Sequence, residues 1–352
     1  MSTSAGRSRP LFARWLASPA PPAAVEITSR RVTAVAIADH GSSRVLAGHA
    51  TVSLPAGAVD AVLNAPSVHD AGALATAIRT ALEQLSPRPR RIGLVLPDTV
   101  AKVSLLRFEK TPARVQDLDQ LIRWQVRKAA PFRIEDAQVA WAPGLPHSGG
   151  GREYVVTTAR RDIIESYEKA CAAAGAYAGI VDIASFNLVN LAVVAYAGTL
   201  AAAGPAPGSG SPRASSGSDW LLVHVAADYA TLAVIRGEHL IFFRNRTTAD
   251  EGDLADLVHQ TAMYHEDRLG GGGFGRIVIA GASARGLEQV EHLRRQVEER
   301  IGARAEAIAL TDAVTIRDRI AVGGELVDNV GPAAGLLLRE RAALRAAAER
   351  VA

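Results

Sequence analysis

A chain of 352 residues exceeds the size at which one hydrophobic core keeps growing, so two domains or lobes are expected, and 48% apolar with 21% charged residues is an ordinary globular composition. A net charge of +3 on an arginine-rich basic set, with no basic run interleaved with aromatics, speaks against a nucleic-acid binder. The single cysteine, Cys171, excludes an internal disulfide and reads within SYEKACAAAG as a small core residue, which fits a reducing cytosol.

Residues 1–23 read as a flexible Ser/Pro/Ala-rich leader without the continuous apolar region of a signal peptide. Its PLFARWLA stretch, near Arg7, Arg9 and Arg14, has two readings: weak contact with a membrane surface, or a disordered tail with chance hydrophobes. Three strands follow (AVEI, RRVTAVAIA, SRVLAGHATVSL), then the helix HDAGALATAIRTALEQL and the apolar run RIGLVLP, the pattern of a strand buried on both faces. Residues 100–159 read as an inserted subdomain with the strand AKVSLLRFEK, the helix RVQDLDQLIRWQVRKAA, and a hairpin of DAQVAWAP and EYVVTTA. In that helix Val115, Leu118, Leu121, Ile122 and Val126 recur at three- and four-residue spacing, giving one apolar face.

The first lobe, 24–99, resumes over 160–204 with the helix RRDIIESYEKACAAAG, the strand AGIVDI and the helix FNLVNLAVVAYAGTLAAAG. Asn187 and Asn190 in the last helix favour burial over a membrane span, so a soluble protein is expected. Residues 205–218 read as a flexible linker. The second lobe, 219–352, repeats the plan with LLVHVA, ATLAVIRG, HLIFFRNR, GDLADLVHQTAMYHEDRL, RIVIAG and ARGLEQVEHLRRQVEERIG, and closes with the helix GPAAGLLLRERAALRAAAERV. Two stretches about two hundred residues apart, AAVEITSRRVTAVAIA and WLLVHVAADYATLAVIRG, therefore form the same strand–turn–strand device. The expected fold is α/β, with two similar lobes facing each other across a cleft.

This layout resembles the actin-like (ribonuclease H-like) fold with a small inserted α+β subdomain. More narrowly it is similar to the PilM family of type IV pilus assembly. The pieces that carry the resemblance are DLDQLIRWQVRKAAPFRIEDAQVAWAP, VVTTARRDIIESYEKACAAAGAYAGIVDIASFNLVNLA and AAGLLLRE, in this order. An actin-like ATPase grips a nucleotide through two hairpin turns and a glycine pair. Its first turn, Asp-Ile-Gly-Ser, is here Glu26, Ile27, Thr28 and Ser29, followed by Arg30 and Arg31, so the glycine that lets backbone amides approach phosphate is missing. Its second turn, Asp-Ile-Gly, is here His224, Val225 and Ala226, and imidazole is a poor substitute for the carboxylate that Mg²⁺ prefers. Asp228 stands nearby but out of step. Of the glycine pair only Gly281 remains, in Ala280-Gly281-Ala282-Ser283. Altered together, these positions predict a pseudo-ATPase with no cofactor; an ATP- and Mg²⁺-binding switch or weak ATPase is the alternative.

GGGGFG (Gly270–Gly275) lacks a following Lys-Ser/Thr and reads as a connection between helix and strand. Glu251, Asp253 and Asp256 read as helix-start acids. No catalytic triad, acid/base pair or metal set is legible. The resemblance implies a cytoplasmic, non-enzymatic adaptor, associated with the inner membrane through its partners, that binds the N-terminal tail of a PilN-like membrane protein and couples it to the pilus motor ATPase. The implied groove lies between the first lobe and the insertion. Candidates to line it are Leu105, Phe108, Trp124 and Phe132, with Arg123 and Lys128 on the rim; membership of the insertion's own core is the competing reading, and it is the one favoured for Ile122. A type II secretion platform component is a further alternative, although that family continues into a transmembrane helix whereas this chain ends in a charged Ala/Arg helix.

Overall fold

The computed structural model describes residues 20–40, 43–147, 149–202, 219–248, 253–316 and 324–349. Nearly all of the expected leader, the linker 205–218 and Glu251 lie outside the described residues. In chain order the elements are β1 (Ala23–Ile27), β2 (Arg31–His40), β3 (Ser43–Ser53), α1 (Ala71–Glu83), β4 (Arg91–Leu96), β5 (Ala101–Phe108), α2 (Val115–Arg127), β6 (Ala137–Pro146), β7 (Arg152–Arg160), α3 (Arg161–Ala173), β8 (Tyr177–Ile183) and α4 (Ala184–Ala202). The second half holds β9 (Trp220–Val225), β10 (Tyr229–Arg236), β11 (His239–Thr247), α5 (Leu254–Leu269), β12 (Arg276–Ala280), α6 (Leu287–Ile301), β13 (Ala305–Ala307), α7 (Leu310–Ala313) and α8 (Gly324–Glu349).

The two halves build the same sheet. The strand orders are β3-β2-β1-β4-β8 and β11-β10-β9-β12-β13. In each, the first two strands pair antiparallel and the first pairs parallel with the fourth of its half, so Glu26 stands opposite Thr33 and Val95, and His224 opposite Thr231 and Ala280. Strand alternation sends Val25 and Ile27, and Val223 and Val225, to the outer faces. Glu26 and His224 thus occupy matching inner-face positions at the ends of matching strands.

Five layers result. One outer layer, α1 and α3, covers the first sheet, with Leu74, Ile78, Ile163 and Tyr167 in its core. The other, α5 and α6, covers the second sheet through residues such as Leu257, Val258 and Val297. Between the sheets lie α4 and α8, which contribute Leu188, Leu191, Leu336 and Leu337 to a core shared by both lobes. The apolar helix read as buried is therefore the centre of the molecule, and no helix among the described residues is long and apolar enough to cross a membrane.

Helix α8 starts at Gly324, seven residues before the sequence signal, and runs through Pro332. Close packing accounts for its continuity: a Cβ at Gly335 would lie 1.9 Å from the carbonyl oxygen of Asn187, so glycine brings α8 directly onto α4. Strand β13 and helix α7 escaped the sequence reading because three and four residues are too short to show a period.

The insertion is a sheet of order β5-β7-β6. Helix α2 packs on one face, where Leu118, Ile122 and Val126 meet Val139, Tyr154 and Val156. The opposite face presents Ala101, Ala140, Thr157 and Ala159, which are cross-strand neighbours or lie one pleat apart.

Candidate functional site

Two depressions deserve comparison: the cleft where the lobes meet, and a groove beside the insertion. In the cleft both hairpin turns close without a left-handed residue, since every positive φ among the described residues belongs to a glycine elsewhere. The Thr28 amide donates to the Arg31 carbonyl at 2.9 Å, and the Ala226 amide donates to the Tyr229 carbonyl at 2.9 Å. The Thr28 hydroxyl, placed where the glycine was expected, accepts from the amide of Arg31 at 3.0 Å and that of Arg30 at 3.3 Å. Two of the first turn's amides are thus held by its own side chain. The turns also touch: the Ser29 hydroxyl donates to the Asp228 carboxylate across the cleft.

Behind the turns lies Asp98, just past β4 and fully buried. Its Oδ1 accepts from the Ser185 amide at 2.9 Å and its Oδ2 from the Thr231 hydroxyl at 2.6 Å, with the Ser185 hydroxyl adding a third bond. His224 Nδ1 lies 3.5 Å from Asp98 Oδ2 and 2.9 Å from Ser185 Oγ. Asp98 and Ser185 thus meet the same imidazole nitrogen. A nucleophilic relay would use both nitrogens and an accessible serine, so this cluster is a junction between lobes. Burial pushes the Asp98 carboxyl up, but hydrogen bonding to His224, the His224 charge and the two Ser185 bonds outweigh it, and the carboxyl stays below its ordinary value.

Asp328, on α8, closes the third position. Its carboxylate accepts from the Gly281 amide at 2.6 Å and the Ser283 amide at 2.9 Å. Gly281 has φ +78, and a Cβ there would lie 2.6 Å from the Val225 carbonyl oxygen, so the retained glycine is required by the backbone crossing itself. Glu26 is 5% exposed and its Oε2 has no hydrogen-bond partner. Burial raises its pKa to about 7, with Arg31 and His224 opposing. Among the described residues no group of three or more His, Cys, Asp or Glu is placed to hold a metal ion. Asp253 caps α5 by accepting from the Ala255 amide, and Gly270 ends α5 in the left-handed conformation.

The groove is a cavity of about 440 Å³ between the small-residue face of the insertion sheet, the edge strand β8 and the flank of α3. Glu165, Glu168 and Asp182 face it, with Arg161. Arg161 is committed to the Ala137 carbonyl at 3.1 Å and the Gln138 amide oxygen at 3.3 Å, and Asp182 to Arg339. Glu165 lies 3.6 Å from Lys169, whereas no cation among the described residues pairs with Glu168. Burial and the neighbouring Glu165 hold the Glu168 carboxyl above its ordinary value.

None of the six partner-binding candidates from the sequence lines this cavity. Phe108 and Phe132 pack against the insertion's own core, Phe108 with its ring 5.9 Å from that of Tyr154. Leu105 is half-buried and pairs with Val155, on the sheet face away from α2. Arg123 and Trp124 belong to α2 and Lys128 caps its end, on the far side of the sheet: Arg123 pairs with Asp119 at 2.7 Å, and Lys128 stands 4.7 Å over the ring of Trp124, which is 57% exposed. Sequence reasoning missed Asp98, Ser185, Thr231 and Asp328 in the cleft, and Glu165 and Glu168 in the groove. Asp98 carried a usable signal, because the carboxyl end of a buried parallel strand is where such sheets place their working residues.

Residues 24–251 match the sequence model of the type IV pilus assembly protein PilM. No curated protein matches the chain by sequence. Among solved structures, a PilM–PilN type IV pilus biogenesis complex aligns with TM-score 0.71 at 18% identity, over 92% of this chain and 99% of that one. A protein of Bacteroides thetaiotaomicron with an actin-like ATPase fold and unknown function aligns with TM-score 0.46 at 9% identity, over 86% and 96%. The cytoplasmic domain of EpsL, an inner-membrane component of the Vibrio cholerae type II secretion system, aligns with TM-score 0.44 at 9% identity, over 91% and 94%. The fold is the actin-like α/β fold expected from the sequence.

Proposed function

Because the chain belongs to the PilM family of type IV pilus assembly proteins, we propose that it is a cytoplasmic adaptor that holds the N-terminal tail of a PilN-like inner-membrane protein in the groove between β8 and the insertion. The observation that carries this reading is the open groove itself, walled by an edge strand and floored by small side chains. A preformed groove of this form suits an extended peptide. The solved relative of similar fold is a complex of PilM with PilN, which supports a PilN-like partner here. Tail capture would tie the protein to the membrane and let it couple a cytoplasmic motor ATPase to the platform. The state of the cleft argues against hydrolysis: Thr28, Asp228 and Asp328 already bond the groups that a phosphate chain would need.

The test is fluorescence anisotropy with a labelled ten-residue peptide copied from the tail of the PilN-like protein encoded in the same genome. Saturable binding is expected, and Thr157→Arg, which puts a long side chain into the groove, should abolish it without lowering the melting temperature. Undiminished binding to Thr157→Arg would remove the groove from the reading. A second reading, an ATP-binding switch, is favoured by one observation: a cavity of about 820 Å³ between α5 and α6, bordered by Val225 and Ala282 beside Gly281. Calorimetry decides it. Micromolar, Mg²⁺-dependent ATP binding that disappears in Glu26→Ala would replace the pseudo-ATPase reading.

A further inference from the structure

Strand β8 closes one edge of the first sheet, with β4 as its neighbour on one side and no strand on the other among the described residues. An uncovered edge is a template for another strand. Natural edges are commonly blunted by lysine, proline, bulges or an extreme of shortness; β8 (YAGIVDI) has no lysine or proline and runs for seven residues, with one bulge against β4 at Gly179. Its length borders the cavity, from the exposed Tyr177 to the buried Ile183. Across the cavity, Ala101, Ala140, Thr157 and Ala159 leave room for alternate side chains of an extended segment.

The charges select what that segment carries. Arg161 and Asp182 are already engaged, so neither needs an occupant. Glu165 and Glu168 lie three residues apart on α3, on one flank of the cavity, where like charges repel. The exposed Lys169 pairs with Glu165, and Glu168 is half-buried with no counter-ion among the described residues. A cation brought by the occupant would relieve both the repulsion and the cost of burial, and a carboxylate would aggravate both.

We propose that the groove reads its tail by charge: an extended segment joins the free edge of β8 as an added strand, and a lysine or arginine of that segment seats against Glu165 and Glu168. The proposal rests on the tail-capture reading above and specifies the chemistry of the captured segment. A tail without a basic residue is a poor ligand, and an acidic one is refused.

Three labelled peptides test it by anisotropy: the ten-residue partner tail, the same tail with its basic residues replaced by norleucine, and the same tail with glutamate there. Each is titrated against the unaltered protein, Glu168→Gln, and the Glu165→Gln/Glu168→Gln pair. Norleucine should weaken binding to the unaltered protein by about five- to tenfold, and glutamate by more. On the double variant the norleucine and native tails should agree within about twofold, as a charge contact removed from both sides requires. Methylating tail amides one at a time should weaken binding at alternate positions only, the period of a strand. Equal binding of native and norleucine tails to the unaltered protein, both lost in Thr157→Arg, overturns the charge reading and leaves tail capture standing. A uniform response to methylation overturns the strand geometry. Failure of every peptide to bind the unaltered protein overturns tail capture, and this proposal with it.

Discussion

The cleft and the groove are both depressions between subdomains, both lined by carboxylates, and their chemistry is opposite. In the cleft, Asp98 is satisfied by Ser185 and Thr231, Asp328 by two backbone amides, and Asp228 by Ser29. In the groove, among the described residues, Glu168 has no counter-ion and β8 has no strand on one side. Buried or half-buried polar groups are normally paired, so the place where pairing stops indicates where a second molecule belongs. By that criterion the cleft is a largely finished joint, with Glu26 Oε2 still unpaired, and the groove a more open one. Disturbing the cleft should change stability and leave tail binding alone; disturbing the groove should do the reverse.

The largest effect is expected at Asp98. Replacement by alanine strands Thr231 and Ser185 in the core and leaves the His224 imidazole without its carboxylate. Breaking a buried network of this kind costs about 3–5 kcal/mol. Urea unfolding should show that loss, while any protein that remains folded binds the tail within about twofold of the unaltered chain. Asp98→Asn preserves the shape and should cost about 1–3 kcal/mol. A cost below about 1 kcal/mol for the alanine variant would mean that the lobes are held elsewhere.

Glu26 comes next, with a pH dependence of definite sign. Its pKa is raised from 4.5 to about 7, so the folded state keeps a proton that the unfolded chain releases. Its contribution to stability is complete below pH 4.5 and fades as pH rises towards 7. Glu26→Gln removes that loss. Relative to the unaltered protein the variant should gain stability progressively from pH 5 to 8, by about 3 kcal/mol at the upper end. Parallel urea curves at the two pH values would contradict the burial of an ionisable Glu26.

The architecture was legible because it is written in periods and repeats. Strands such as RIGLVLP and LLVHVA are continuous apolar runs, and two hairpins of the same pattern point to two similar lobes, whose sheets share one strand order. The loss of glycines at Thr28 and Ala226 was visible letter by letter. What filled the cleft was not, because Asp98 meets Thr231 across 133 positions and Asp328 meets Gly281 across 47, and neither contact has a local signature. The groove failed for a related reason. Trp124 and Phe132 attract notice by residue type, yet the sheet's pleat puts α2 and the groove on opposite faces, and sequence period alone does not say which face turns towards the neighbouring lobe.

The smallest effect, and the sharpest separation of the two regions, belongs to Ser29→Ala. It removes one exposed, charge-assisted hydrogen bond between the turns, worth about 0.5–1 kcal/mol. The variant therefore stays folded while the turns are no longer tied. If the tie merely covered an intact nucleotide site, cutting it would admit ligand, and ATP at a hundredfold excess over its dissociation constant would stabilise the fold by about 2.7 kcal/mol. If the site has been consumed by Thr28, Asp98 and Asp328, as their hydrogen bonds indicate, nothing is uncovered. Thermal melts of Ser29→Ala with and without Mg²⁺-ATP should then superimpose, with tail affinity unchanged. A nucleotide-dependent rise in melting temperature confined to the variant would recast the cleft as a latched site and leave the groove as the only one of the two regions correctly read.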